Sequence, residues 1–152
     1  MAAKELRWGS IRTRRKNEQV IELHDRNTIR ELLNTERNYS AYALGQLDTS
    51  LFKKTQWFNL TNETNKKTGL VMHSKGGLGE ATMTFGDPYA IEKILRVHPG
   101  PALTYMSCQP KHLEAIQKTH HLFSTQEMLR LTVDRKNFRP DHKNVQIKLS
   151  GL

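Results

Sequence analysis

Cysteine occurs once in this 152-residue chain, at Cys108, so an internal disulfide is impossible and a disulfide-stapled secreted scaffold is excluded. No apolar run approaches the roughly 18 residues that a membrane-spanning helix needs. The first residues also lack the apolar stretch of a signal peptide. Both absences lead to the expectation of a soluble, cytoplasmic protein with no membrane partner, and internal repeats and low-complexity tracts are missing as well. What is present, 36% hydrophobic and 26% charged residues, suits one compact domain with a real core.

Acidic residues are scarce at both ends, and the formal charge of +9 comes from there. Residues 1–16 hold six basic side chains against Glu5, and residues 130–152 hold six against Asp134 and Asp141. Between them, residues 17–129 carry twelve basic and twelve acidic side chains. The body therefore has no net bias. The basicity belongs to an N-terminal arm, residues 1–17, and to a C-terminal tail. Trp8 among Arg7, Arg12, Arg14 and Arg15 could stack on a base while the arginines meet phosphates, but a single aromatic is a thin platform. A solvating tail is the preferred reading, and a basic nucleic-acid-binding module is kept as an alternative.

Periodicity supplies the elements. Gln19–His24 alternates as a short strand, with Ile21 and Leu23 on one face. Thr28-Ile-Arg-Glu31 has capping-box spacing and opens a helix with an Ile29, Leu32 and Leu33 stripe. A second helical piece covers Tyr39–Leu47, and Asp48–Phe52 reads as a short helical turn. Gln56–Thr61, Gly69–His73 and Glu80–Phe85 form a three-stranded meander, the last with Ala81, Met83 and Phe85 facing the core and Thr82 and Thr84 facing away. Asp87 is the expected N-cap and Pro88 the first residue of a helix bearing Ile91, Ile94 and Leu95. Strand Ala102–Met106 and a helix from Pro110, with Leu113 and Ile116 inward, come next. Glu127–Val133 is the clearest strand pattern in the chain, Arg135–Lys143 reads as a linker, and Val145–Leu149 as a further strand.

Several motifs invite sharper chemistry. Ser74-Lys-Gly-Gly-Leu-Gly-Glu80 has the glycines of a phosphate loop, yet a P-loop places Lys-Ser/Thr after its last glycine and then a helix. Glu80 and a strand follow here, so it is read as a hairpin turn. Cys108, just ahead of the Pro110 helix, would need a positioned base to act as a nucleophile, and the reading is an unreactive thiol. His112, His120 and His121 include no i, i+4 pair and no completing carboxylate, so no metal is assigned. Trp57 and Phe58 are expected in the core.

The order strand, two helices, three-stranded meander, helix, strand, helix, strand over residues 18–134 resembles the GNAT-type N-acetyltransferase superfamily. Ser40-Ala-Tyr-Ala-Leu-Gly-Gln-Leu-Asp48 followed by Thr55-Gln-Trp-Phe58, and Met128–Asp134 with Phe138-Arg-Pro140, look like the N-terminal halves of bacterial two-domain members. The resemblance implies an α/β (α+β) fold, a mixed sheet flanked by helices in the order β-α-α-β-β-β-α-β-α-β. It also implies a boundary near residue 134, with 135–152 as linker and the start of a further strand, about where a second domain would begin.

Active members of that superfamily carry Gln/Arg-x-x-Gly-x-Gly/Ala between their fourth strand and third helix. Its backbone amides hold the pyrophosphate of acetyl-CoA. Phe85–Ala90 stands at that position and does not fit: Asp87 brings negative charge and Pro88 removes a donor. By position only Glu80 and Tyr105 can be nominated as catalytic base and acid, and neither sits in a diagnostic motif, so catalytic and cofactor-binding residues stay unassigned. The expectation is a non-catalytic, structural or substrate-shaping domain without a cofactor of its own, partnered by an acetyltransferase domain in the same or a partner chain, a homodimer also being compatible. The alternative is an active enzyme gripping acetyl-CoA through an atypical loop.

Overall fold

The computed structural model describes residues 17–62, 64, 67–76 and 79–139. The chain forms a mixed α+β fold whose five-stranded sheet is flanked by helices. Strand β1 (Gln19–Glu22) leads to helices α1 (Arg26–Asn34), α2 (Ala41–Gly45) and α3 (Thr49–Phe52). Strands β2 (Thr55–Thr61), β3 (Lys67–Ser74) and β4 (Ala81–Gly86) follow as an antiparallel meander. Helix α4 (Pro88–Val97) crosses over to β5 (Tyr105–Ser107), which lies parallel to β4, and a short 3-10 turn at Pro110–His112 runs into α5 (Leu113–Gln117). The sheet order is β1-β2-β3-β4-β5.

Strand alternation divides the core between two layers. Trp57, Leu70, Met72, Met83 and Phe85 face α1 and α2, where they meet Ile29, Leu33, Ala43 and Leu47. Phe58, Leu60 and Val71 face the other way, against Ala90, Ile91, Ile94 and Leu95 of α4 and Ile116 of α5. The sheet is thus covered on both sides. This corrects the one-sided reading of β4: Thr82 and Thr84 are completely buried, and they face the α4 layer rather than solvent. Polar side chains survive there because each has a hydrogen-bond partner.

The first helix begins earlier than its capping-box spacing suggests. Asp25 is the N-cap and accepts from the Thr28 N–H at 2.8 Å and from the Thr28 hydroxyl at 2.6 Å. An aspartate three residues upstream reaches the free donors first, so Thr28 lies inside the helix. The second helix is shorter than Tyr39–Leu47. Strand β5 starts three residues later than Ala102, because the ladder exists only where Ala81–Met83 offers partners.

The larger correction concerns Glu127–Val133. Although its alternation is the clearest in the sequence, it makes no strand, and Leu129 and Leu131 are 88% and 91% exposed. Alternation describes a strand that has a neighbour, and no described strand pairs with this segment. Regular structure among the described residues ends with α5, well before residue 134. The turn at Asp134–Phe138, where Phe138 N–H donates to the Asp134 carbonyl at 3.0 Å, interrupts the expected linker. The arm with Trp8 and the expected strand Val145–Leu149 lie outside the described residues.

Ile91 is fully buried at the centre of the α4 layer. Ile91→Ala should lower unfolding stability by about 2–5 kcal/mol, read from the urea midpoint at unchanged slope. Truncation of exposed Val97 on the same helix should change it little.

Candidate functional site

The turn from β4 into α4 brings the N-terminus of a ten-residue helix to a strand end, the kind of place where free backbone N–H groups can hold an anion. Gly86 takes φ +91°, and a β-carbon there would come within 2.6 Å of the Thr68 carbonyl oxygen, so only glycine fits. Asp87 caps α4, accepting from the Tyr89 N–H at 3.0 Å. The Asp87 N–H donates to the Thr68 carbonyl at 2.8 Å, and the Ile91 N–H to the Asp87 carbonyl at 3.1 Å. The Gly86 N–H donates to Glu36 Oε2 at 3.3 Å, and the other Glu36 oxygen accepts from Lys111 Nζ at 3.0 Å. The N–H groups of Gly86, Asp87 and Tyr89 are therefore taken by two carboxylates and a carbonyl of the chain itself, with Glu36 in turn paired to Lys111, which leaves none of the three for an anion. Pro88 contributes no N–H.

Beyond the turn, β5 pairs with β4 only over Ala81–Met83. Opposite Thr84–Gly86 the space is filled by His112, which bridges Thr84 Oγ1 at 2.9 Å and the Gly86 carbonyl at 3.0 Å. A carbonyl can only accept, so Nε2 carries the proton and Nδ1 accepts from the Thr84 hydroxyl. His73 repeats the arrangement one row along the sheet: Thr82 Oγ1 lies 2.9 Å from Nδ1 and the His98 carbonyl 3.1 Å from Nε2. Burial holds both imidazoles below the usual histidine pKa, only partly offset by those carbonyls. With both ring nitrogens engaged, neither is free to act as a base.

On the other face of β4, Tyr39 packs on Phe85, ring centroids 5.3 Å apart. Burial pushes its phenol up to about 12; the Ser107 hydroxyl nearby pulls the other way without making a well-formed hydrogen bond. Arg130 lies 4.9 Å over the Tyr39 ring and donates to the Tyr39 carbonyl.

An open cleft of about 600 Å³ lies between the β2–β3 surface and the loop after α4. Phe58 and His98 stack in it with centroids 3.9 Å apart, and Lys75 and Glu80 stand on its walls. His73 and His120 fasten the loop through successive carbonyls, those of His98 and Pro99. Gly100 takes φ +82° directly against the His73 ring, where a β-carbon would clash.

No family model, curated protein or solved structure matches this chain.

The two nominated catalytic positions come close in the sheet: the Tyr105 N–H donates to the Glu80 carbonyl at 3.0 Å. Their side chains are both exposed, Tyr105 at 81%, and Glu80 alone lines the cleft. Burial raises the Cys108 pKa, opposite to activation. His112, His120 and His121 separate, into the β4 layer, onto the Pro99 carbonyl and against Phe123, and no cluster of metal-ligating side chains occurs among the described residues. Residues 77 and 78 of the glycine-rich loop lie outside the described residues; Ser74 and Ala81 on either side pair as β3 and β4, a hairpin connection. Sequence reasoning missed His73, Glu36 and the threonines. A histidine closing the apolar run Leu70-Val71-Met72, and two inward threonines, were the available signals.

The depressed histidine pKa values have a defined consequence. The unfolded chain takes up protons on these imidazoles below about pH 6.5 while the folded chain resists, so their contribution is complete above that pH and is lost as the pH falls below it. Urea midpoints should fall between about pH 7 and about pH 5, a window above that of the carboxylates. His112→Gln should flatten the slope. An unchanged slope in that variant would remove His112 as a source.

Proposed function

We propose that this chain is a GNAT-like domain that does not itself catalyse acyl transfer and that serves a structural or substrate-shaping role, packed against an acetyltransferase domain in the same or a partner chain. The observation that carries the non-catalytic part is the closed β4–α4 turn. Asp87 and Glu36 accept the Tyr89 and Gly86 N–H groups, and His112 occupies the space beside Thr84–Gly86. A pyrophosphate would have to displace two carboxylates from the donors it needs, and it would meet their charge.

The acyltransferase-related part rests on the element order and the local wording around Ser40–Asp48 and Met128–Asp134. It is supported by the parallel placement of β5 beside β4 through α4, with the two strands paired only over the first three residues of β4. Fold likeness alone assigns no chemistry, so the role follows from what the site has lost.

Calorimetric titration of acetyl-CoA and of free CoA into the purified chain, at moderate salt so that the basic ends do not collect phosphates, tests this reading. No saturable heat is expected. Micromolar, salt-tolerant binding would overturn it in favour of an active enzyme with an atypical loop, and Gly86→Ala should then abolish that binding.

A further inference from the structure

Among the described residues, eight of the ten exposed large apolar side chains come from position 103 onward. They include Leu103 just before β5, Tyr105 on it, and Phe123, Leu129, Leu131 and Val133 on the segment after α5. Strand β5 is an edge of the sheet, only three residues long. The segment Glu127–Val133 has the alternation of a strand and no ladder. One chain therefore presents both a free edge and a free strand.

We propose that these two features are halves of one self-complementary interface, in which Glu127–Val133 of one copy adds to the β5 edge of a second copy, and the second copy does the same in return. A two-fold arrangement satisfies both features with no other partner and closes as a pair instead of propagating head to tail. Tyr105, Met128, Leu129, Leu131 and Val133, at about 100 Å² or more each, offer on the order of 500 Å² per partner before the paired backbone is added, towards the roughly 800 Å² of a standard interface. Within one copy, Arg130 pins the middle of the segment at Tyr39, on the carbonyl and over the ring, and away from any ladder. The inference does not rest on the acyltransferase-related reading.

Sedimentation equilibrium of the full chain, combined with amide hydrogen exchange at high and low concentration, tests it. Expected are a mass twice 17.6 kDa at tens of micromolar by the usual scale of such interfaces, and slow exchange over 127–133 that is lost on dilution. The double variant L129E/L131E changes only exposed positions, so it should sediment as a single chain while the fluorescence of buried Trp57 stays native. A single-chain mass for the unaltered protein at every concentration would overturn the proposal. So would protection of 127–133 that persists undiminished on dilution, which means pairing within one chain, or a dimer that L129E/L131E leaves intact.

Discussion

The packing of α4 across the sheet is the constraint on which the other features depend. Ala90, Ile91, Ile94 and Leu95 fill one face of the helix and seal against Phe58 and Val71, with Ile116 of α5 beside them. Because α4 joins β4 to β5, its seat fixes the sharp turn at Gly86 and Asp87 at one end. At the other it fixes the loop through His98, Pro99 and Gly100. Moving the helix would break the Asp87 cap, the stacked Phe58–His98 pair and the carbonyl contacts of His73 and His120 together. Such a helix is held by many small dispersion contacts and by area removed from water, which tolerate little displacement in a close-packed interior.

Polar groups under that helix are arranged so that burial costs little. Two threonines of β4 each meet one imidazole, and each imidazole reaches a backbone carbonyl that the sheet or helix leaves free. The two units tie three kinds of element to β4: a neighbouring strand, the turn before α5 and the loop after α4. Full hydrogen bonding is what lets neutral histidines sit in this layer, and it is also what removes them from chemistry. The same logic holds at the β4–α4 turn, where Glu36 and Asp87 neutralise donors that would otherwise attract an anion. The turn therefore acts as a joint between β4 and α4.

Much of this was legible in the residues themselves. The meander, the Asp87 cap, Pro88 at the first turn of α4 and the Ile91–Leu95 stripe follow from turn chemistry and from periods of two and 3.6, which act over a few neighbouring residues. The mismatch of Phe85–Ala90 with a phosphate loop is equally local. The partners were not legible: which face Thr82 and Thr84 use, that Glu36 crosses from the end of α1 to Gly86, and that His112 fills the space beside β4. Those contacts span 26 to 50 positions of sequence and exist only once α1, α4 and the Pro110 turn have been stacked on the sheet. Glu127–Val133 makes the point in reverse. Its sequence determines a strand's alternation, but a strand is completed by hydrogen bonds to a neighbour, and whether one is present is decided by tertiary structure alone.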